Sequence, residues 1–272
     1  GTKKIRITGG EPLVRKDVMY LFERLGKTLN KNKLQELTLT TNGSQLSKYA
    51  NQLYDYGIRR INVSLDTLNE TLFNKLTRRG NLDNVIEGIF AAKKAGINIK
   101  INSVALKGVN ENELLEIMKW SHSHELDMTV IETMPLGEIS EDRTEQFVPL
   151  SKIKELIEKE YTLEKTNYVT GGPSRYFEVK ETGRRLGFIT PLTHNFCESC
   201  NRVRLTCTGK LYMCLGQDDS ADFKIAARSK NWKINLEKSV REAISRKPKG
   251  HDFIIRRKQD PSVKRHMSVT GG

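Results

Sequence analysis

The chain has 272 residues and a net charge of +13, from 46 basic and 33 acidic side chains. Hydrophobic residues make up 37% and charged residues 29%, which is typical of a globular protein with a substantial core. No apolar run is long enough to cross a membrane, so no membrane partner is expected. The chain lacks an initial Met and has strand character from its first residues. We therefore expect a longer natural chain without a signal peptide.

Short apolar runs alternate with helical periodicity through the first 134 residues. The predicted elements, in chain order, are strand Lys4–Thr8, helix Arg15–Asn30, strand Leu34–Thr41, helix Ser47–Tyr56, strand Arg60–Leu65, helices Glu70–Thr77 and Leu82–Ala95, strand Ile97–Leu106, helix Glu111–His124 and strand Met128–Met134. Gly57 and Gly96 are helix stop signals. This alternation predicts a parallel α/β sheet, as a β/α barrel or an open doubly wound sheet.

Polar residues stand at the carboxyl ends of all five predicted strands, in the segments 8–12, 40–43, 64–66, 102–103 and 132–134. One or two such ends would be ordinary turn chemistry. Five in succession favour a ligand-binding rim, because ligands of parallel sheets bind at the carboxyl ends of the strands. The paired glycines of the first segment either let a ligand approach the backbone or simply make a tight turn.

The composition changes between Pro135 and Pro149, so we predict two domains, residues 1–150 and residues 151–272. The second begins with a short helix, Ser151–Lys159, and continues with hairpin material over Tyr168–Pro191, with turns at 171–173 and 181–183. A basic helix, Ile234–Ser245, follows later. Residues 224–272 hold 14 basic against 4 acidic side chains. This excess indicates either a solvated surface or an anionic partner, and the scarcity of aromatic residues there argues against nucleic acid.

All four cysteines lie between residues 197 and 214, in the spacing C-x2-C-x6-C-x6-C. Such clustering indicates an intracellular metal site rather than a secreted disulfide framework. A closed zinc site on four thiolates is one alternative. A [4Fe–4S] cluster on Cys197, Cys200 and Cys214, with Cys207 free, is the other, and the spacing alone leaves both open. Arg202 and Arg204 stand beside this loop, where their planar guanidinium groups suit phosphate or a purine edge.

Several of these motifs together resemble the radical S-adenosylmethionine (SAM) superfamily, and within it the molybdenum cofactor biosynthesis protein A family, the GTP 3′,8-cyclases. The resemblance covers essentially the whole chain. It is carried by the segments 4–12 (KIRITGGEP), 40–43 (TTNG), 60–66 (RINVSLD), 197–204 (CESCNRVR) with Cys214, and 265–272 (RHMSVTGG). Each motif alone is weak, but the ordered set is highly specific.

The resemblance implies an incomplete β/α barrel of TIM-like type, with a smaller C-terminal auxiliary domain that covers its open side. It implies a [4Fe–4S] cluster on Cys197, Cys200 and Cys214, which displaces zinc as the expected metal. The GTP-binding residues that it implies are Arg6, Thr40, Lys100, Arg202, Val203 and Arg204. The SAM-binding residues that it implies are Gly10, Ser64 and Met134. No catalytic side chain is assigned.

The activity implied is conversion of GTP to (8S)-3′,8-cyclo-7,8-dihydroguanosine 5′-triphosphate, the first step of molybdenum cofactor biosynthesis. Reductive cleavage of SAM supplies a 5′-deoxyadenosyl radical that removes the ribose 3′ hydrogen of GTP, so the protein acts mainly by positioning. We also expect a homodimer, a functional link to cyclic pyranopterin monophosphate synthase, and a cytoplasmic location, or a mitochondrial one in a eukaryote.

Two departures from the family pattern stand out. The first-cluster motif C-x3-C-x2-C is absent, since no cysteine precedes Cys197; we expect it upstream of Gly1 in the full-length chain, and without it this chain could not cleave SAM. Thr129 stands where the family usually has Arg, which predicts the loss of one polar contact on the SAM side. A radical SAM peptide-maturation enzyme, which usually has more cysteines, and a zinc-ribbon-like nucleic-acid binder are the alternative functions.

Overall fold

A computed structural model describes residues 1–29, 34–134, 145–193, 200–248, 250, 263 and 265–271. The chain divides into two compact units. The first comprises Gly1–Thr133 and Gln146–Thr190, and the second comprises Met134–Glu145 and Pro191–Gly272. The domain boundary predicted at residue 150 falls inside the first unit, because the hairpin that follows it completes the sheet of that unit.

The first unit contains most of the regular structure. Its strands are β1 (Lys4–Ile7), β2 (Glu36–Thr41), β3 (Arg60–Ser64), β4 (Asn98–Ala105), β5 (Asp127–Glu132), β6 (Leu163–Lys165), β7 (Arg175–Val179) and β8 (Arg184–Ile189). Its helices are α1 (Val18–Leu29), α2 (Leu46–Asp55), α3 (Glu70–Thr77), α4 (Leu82–Lys94), α5 (Leu114–Ser123) and α6 (Leu150–Glu158), and a 3₁₀ turn covers Pro12–Val14.

The strands of this unit form one sheet in the order β1-β2-β3-β4-β5-β8-β7-β6. All neighbours from β1 to β5, and the pair of β5 with β8, are parallel. The hairpin of β7 with β8 and the pair of β6 with β7 are antiparallel. The α/β class and the parallel sheet predicted from the sequence are thereby confirmed, and the run of parallel strands is that of an incomplete β/α barrel.

The central strands carry two different faces, because successive side chains of a strand point to opposite sides. One face is apolar: Ile61 pairs in register with Leu39 and Ile99, and Met128 pairs with Ile101 and Leu186. All of these side chains are buried in the main core. The alternate positions carry polar groups or glycine, and they are Arg6, Asn62, Lys100, Thr129 and Gly187. The sheet therefore has a core face and a polar face.

The helices pack on the core face through apolar residues at helical spacing. In α4 these are Val85, Ile89 and Ala92, all buried. The Asn81 side chain caps this helix by accepting a hydrogen bond from the N–H of residue 84 at 2.8 Å. Gly96, with a φ of 88°, follows its end, as predicted from the stop signal.

Element boundaries differ from the sequence prediction mainly at helix starts. The helix predicted from Arg15 begins at Val18, because the chain first makes the 3₁₀ turn and Asp17 then adopts a φ of 59°. The turn predicted at 181–183 is confirmed between β7 and β8, where Gly183 has a φ of 62°.

The second unit is small. Its described strands, β9 (Arg204–Leu205), β10 (Lys210–Tyr212) and β11 (Ser220–Asp222), form an antiparallel sheet in the order β11-β10-β9. Its described helices are α7 (Lys224–Arg228), α8 (Trp232–Ser245) and α9 (Met267–Thr270). Leu211, Met213, Phe223 and Ala243 form its buried cluster. Across the described parts of both units, no helix combines the length and the apolar character needed to span a membrane.

Gly88 offers a test of how α4 packs against the loop before α2. A Cβ at this position would lie 2.5 Å from the Gly43 carbonyl oxygen and 3.0 Å from the Leu46 Cβ. Alanine is favoured over glycine by about 1 kcal/mol inside a helix, yet overpacking costs about 1–3 kcal/mol. The net of these two effects is a loss of up to about 2 kcal/mol, so we expect Gly88→Ala to lower the free energy of unfolding, measured with urea.

The control for this prediction is Glu87→Ala, an exposed neighbour in the same helix. It should change the free energy of unfolding by less than about 0.5 kcal/mol. Equal or higher stability of Gly88→Ala would show that the helix and the loop separate easily.

Candidate active site

The loop after β1 is anchored by the carboxylate of Glu11. This group accepts hydrogen bonds from the Thr41 hydroxyl at 2.8 Å and from the Asn42 N–H at 2.6 Å, both at the end of β2. It also accepts one from the Leu13 N–H at 3.0 Å. A Cβ added at Gly10 would meet no atom within 4 Å. The loop is thus tied to the rim of the sheet while the backbone at Gly10 stays open to a ligand.

A buried lysine lies at the centre of the polar face. The Lys100 ammonium, on a residue only 7% exposed, donates a hydrogen bond to the Tyr176 hydroxyl at 2.9 Å. Burial lowers the pKa of Lys100, and the charges of Arg6 and Arg60 add to this lowering, while Tyr176 opposes it. Burial by itself would raise the pKa of Tyr176, but the adjacent Lys100 brings it below its usual value. Positive charge is therefore concentrated here at a desolvated position.

Several buried polar atoms on the same face have unused hydrogen-bonding capacity. Among the described residues, none donates to or accepts from the buried atoms Asn62 Oδ1, Asn102 Oδ1 and Thr129 Oγ1. A Cβ at Gly187, which pairs with Thr129, would lie 2.8 Å from Thr129 Oγ1 and 2.2 Å from Ser174 Oγ. Buried polar atoms normally have hydrogen-bond partners, so this face is suited to a polar ligand.

Ion pairs neutralise the amino-terminal end of the polar face. Arg60 forms a salt bridge with Glu36 at 2.5 Å, and Lys4 lies 3.4 Å from the same carboxylate. Burial would raise the pKa of Glu36, but the two cations lower it below its usual range. This end of the face therefore carries paired charges.

The end of β3 is held by a hydrogen-bonded carboxylate. Asp66 Oδ1 accepts from the Val104 N–H at 2.7 Å, and Asn110 Nδ2 donates to the Asp66 carbonyl oxygen at 2.7 Å. Burial raises the pKa of Asp66 to about 6, and the Val104 hydrogen bond opposes this shift. The exposed Ser64 is thereby carried on a strand end that is tied to β4.

In the second unit the cysteine loop is described in part. Cys197 lies outside the described residues. Cys200 and Cys214 are half-buried thiols, and Cys207 is exposed. Burial raises the pKa of Cys200, but the backbone N–H and the charge of Arg202 outweigh it and leave the pKa below its usual value. A thiol whose pKa is lowered forms the metal-binding thiolate more readily.

Lys247 joins the two cysteine segments. Its ammonium donates hydrogen bonds to the Met213 carbonyl oxygen at 2.7 Å and to the Arg202 carbonyl oxygen at 3.0 Å. It also lies 4.0 Å from Cys200 Sγ. Since Met213 precedes Cys214 directly, these contacts bring the chain at Cys214 close to Cys200.

The C-terminal segment contacts the arginine-bearing strand. Arg204, on β9, donates to the Gly271 carbonyl oxygen at 3.1 Å. Arg265 packs its guanidinium 3.9 Å from the centre of the Tyr212 ring and donates to the carbonyl oxygen of residue 215 at 3.0 Å. Val203, between the two arginines, is 42% exposed.

The structure places the predicted site residues in two groups. The first unit holds Arg6, Gly10, Thr40, Ser64 and Lys100, on or beside the polar face, and the second unit holds Met134, Cys200, Arg202, Val203, Arg204 and Cys214. Sequence reasoning missed Glu11, Tyr176 and Lys247. Glu11 lay inside a motif already recognised, but neither Tyr176 nor Lys247 belongs to a pattern that the sequence displays.

Comparison with known proteins identifies the family. The family model of the radical SAM superfamily matches residues 1–121, and that of Molybdenum Cofactor Synthesis C matches residues 126–253. A GTP 3′,8-cyclase of Rhizobium leguminosarum bv. trifolii is 63% identical over 273 residues, covering 100% of this chain and 78% of the relative. The chain belongs to the GTP 3′,8-cyclase family. Proteins of the same name from Rhizobium meliloti and Brucella ovis are 60% and 59% identical over equal lengths.

Solved structures support the fold. SuiB of Streptococcus suis bound to S-adenosylmethionine has a TM-score of 0.54 at 15% identity, covering 85% of this chain and 54% of that chain. SuiB bound to the precursor peptide SuiA has a TM-score of 0.53 at 14% identity, covering 89% and 55%. At this level of identity the likeness concerns the fold, and it agrees with the incomplete β/α barrel.

The family uses SAM and a [4Fe–4S] cluster, and the described residues fit both. For the cluster, the pKa of Cys200 is lowered, and Lys247 contacts both the Cys200 sulfur and the backbone of the residue before Cys214. For SAM, the backbone at Gly10 is open just after the end of β1, and Asn102 Oδ1, inside β4, has no hydrogen-bond partner among the described residues. Thiolates are the ligands that such clusters prefer.

Asp66 predicts a specific pH dependence of stability. Its pKa of about 6 in the fold exceeds the ordinary value of 3.8, so the fold favours the protonated acid. Its contribution is therefore present below pH 4 and is lost as the pH rises through 6. Asp66→Asn keeps an acceptor for Val104 without the buried charge. Above pH 6 we expect the variant to exceed the wild type in free energy of unfolding by about 2–3 kcal/mol.

Urea unfolding of both proteins at several pH values from 4 to 8 measures this difference. The exposed Glu87→Gln on α4 is the control and should follow the wild type at every pH. A difference between Asp66→Asn and the wild type that stays constant across the range would contradict the assignment.

Proposed function

We propose that this chain acts as a GTP 3′,8-cyclase, converting GTP to (8S)-3′,8-cyclo-7,8-dihydroguanosine 5′-triphosphate in the first step of molybdenum cofactor biosynthesis. The observation that carries the proposal is the buried Lys100, hydrogen-bonded to Tyr176 and close to Arg6 on the polar face. A desolvated cation interacts with an anion more strongly than a solvated one does. The relatives are named for GTP, which is an anion of this kind.

In the first unit, Arg6, Thr40 and Lys100 are proposed to contact GTP. Arg6 and Lys100 supply positive charge for the triphosphate. The Thr40 hydroxyl lies at the end of β2, 3.5 Å from Asn62 Nδ2, and offers a neutral hydrogen-bonding group beside them. Tyr176 holds the Lys100 ammonium in place before substrate binds, which lowers the entropic cost of binding.

In the second unit, Arg202, Val203 and Arg204 are proposed to contact GTP. The two guanidinium groups are planar and suited to phosphate or to the edge of a purine. The exposed side chain of Val203 offers an apolar surface for the nucleoside. The hydrogen bond from Arg204 to the Gly271 carbonyl oxygen orients one of these arginines through the C-terminal segment.

The cofactor residues follow the same division. Gly10, Ser64 and Met134 are proposed to bind SAM, and Cys197, Cys200 and Cys214 are proposed to hold the [4Fe–4S] cluster next to the GTP-binding arginines. When bound, these groups supply the radical chemistry of the family. The protein side chains bind and orient GTP, and burial of Lys100 and Tyr176 keeps water away from this part of the polar face.

Three further parts of the proposal concern partners and location. We propose a homodimer, a functional link to cyclic pyranopterin monophosphate synthase, and a cytoplasmic location. The bacterial origin of the relatives supports the location, and the family membership supports the link to the next enzyme of the pathway.

The metal content tests the proposal as a whole. Because every cysteine of this chain lies between residues 197 and 214, any cluster that it binds is on this loop. After anaerobic reconstitution with ferrous iron and sulfide, we expect about four irons per chain and the absorbance of a [4Fe–4S] cluster. A colourless protein that holds one zinc would overturn the cyclase assignment.

Lys100→Met tests the polar face. The variant keeps the length and apolar stem of the side chain but removes its charge. Loss of a charge-assisted contact should weaken GTP binding about 30-fold in equilibrium titrations of the reconstituted protein. Guanosine, which has no phosphate, should bind both proteins equally. Lys94→Met, at the exposed end of α4, is the matched control and should bind GTP like the wild type.

Arg202→Ala and Arg204→Ala test the second unit. Each should weaken GTP binding by about tenfold or more, and each should bind as much iron as the wild type. Arg228→Ala, which removes an exposed arginine from α7, is the control. Unchanged affinity for GTP in both arginine variants would refute their assignment to the substrate.

A further inference from the structure

Lys247 differs from the other lysines of the basic C-terminal region in its surroundings. It lies two residues after the end of α8 and is half-buried. Lys238, by contrast, lies on the exposed face of α8 and approaches Glu242 at 4.0 Å. The Lys247 ammonium instead faces two backbone carbonyl oxygens and a cysteine sulfur. Its role is thus not that of a solvated surface charge.

The three acceptors match the three hydrogens of an ammonium group. The Met213 and Arg202 carbonyl oxygens lie at 2.7 and 3.0 Å, and Cys200 Sγ lies at 4.0 Å. A lysine ammonium has three donors and no acceptor capacity. Each donor therefore has one partner, and all three partners belong to the cysteine loop or its arginine-bearing continuation.

These contacts begin where the β9–β10 ladder ends. The outermost residue pair of that ladder is Tyr212 with Arg204, and the pair of Leu211 with Leu205 lies deeper in the hairpin. Beyond Tyr212, Lys247 links Met213 to Arg202 by side-chain hydrogen bonds. Lys247 thus continues the connection between the two arms of the hairpin up to the positions of Cys200 and Cys214.

We propose that Lys247 is a positioning residue for the cluster-binding loop. It holds the backbone at Arg202 and Met213, so that Cys200 and Cys214 are arranged as ligands before the cluster binds. Its positive charge beside Cys200 also offsets the negative charge of a thiolate-bound cluster. The inference rests on the proposed function to the extent that the bound group is an iron–sulfur cluster.

The geometry makes lysine specific at this position. Arginine keeps the positive charge, but its planar guanidinium cannot direct three hydrogens to the same three acceptors. Methionine keeps the apolar stem and loses both charge and donors. Lys247→Arg should therefore restore the electrostatic contribution and only part of the positioning, whereas Lys247→Met loses both.

The test compares Lys247→Met, Lys247→Arg and the matched control Lys238→Met after anaerobic reconstitution of the whole chain. The first measurement is the rate at which iron is released to a chelator. We expect release about tenfold faster from Lys247→Met, in line with the effect of removing an outer hydrogen-bond partner of a metal site. Lys247→Arg should be intermediate, and Lys238→Met should match the wild type.

The second measurement separates positioning from a general effect on folding. Removing a positive charge beside the cluster should lower its reduction potential in Lys247→Met but not in Lys247→Arg. Thermal unfolding of the proteins without iron shows whether each variant folds. If Lys247→Met does not fold, the potential and iron release of Lys247→Arg and Lys247→Gln decide the question.

Three results would overturn the inference. The first is iron release from Lys247→Met at the wild-type rate. The second is iron release from Lys238→Met that is as fast as that from Lys247→Met. The third is faster iron release from Lys247→Met with an unchanged reduction potential and a lowered unfolding temperature. If the wild type binds zinc instead of iron and sulfide, the proposed function fails, and the rate of zinc release from the same variants then decides the role of Lys247.

Discussion

The alternation of side chains along the parallel strands is the constraint on which the first unit depends. Register between neighbouring strands aligns Ile61, Ile101 and Met128 with apolar partners on one face. The same register necessarily aligns the intervening residues, Asn62 and Lys100, on the other face. A shift of one residue would exchange the two faces, so core packing and placement of the polar groups are specified together. Stability and binding chemistry thus depend on the same hydrogen-bonded ladder.

Burial of Lys100 in the polar face costs free energy of folding, but it also provides a charged group for an anionic ligand. An unpaired ammonium in the interior is strongly unfavourable, and the hydrogen bond to Tyr176 offsets part of that cost. The nearby charges of Arg6 and Arg60 add repulsion. Glu36 neutralises Arg60 at the amino-terminal end of this face. An anionic ligand would relieve the remaining repulsion, and this is the physical basis of the proposal that a nucleotide binds there.

The second unit has only a small buried apolar cluster among its described residues, so polar contacts have a larger part in holding its loops. Its loops are held by cationic side chains that donate to backbone carbonyl oxygens. Lys247 fixes the cysteine segments, Arg265 fixes the chain at residues 215–217, and Arg204 fixes Gly271. Part of the basic excess in this region is therefore explained by internal hydrogen bonds rather than by an external anionic partner.

The sequence alone determined every feature that depends on a local pattern or motif. These features are the order of strands and helices, the helix stops at Gly57 and Gly96, the cysteine spacing and the family. The extent of the first unit could not be read from the sequence in the same way. It depends on the parallel pairing of β8 with β5, which lies more than fifty residues earlier in the chain. The partners of Lys100 and Cys200 lie 76 and 47 residues away. Local propensity carries no information about such contacts, so only the tertiary structure decided which charges meet at the site.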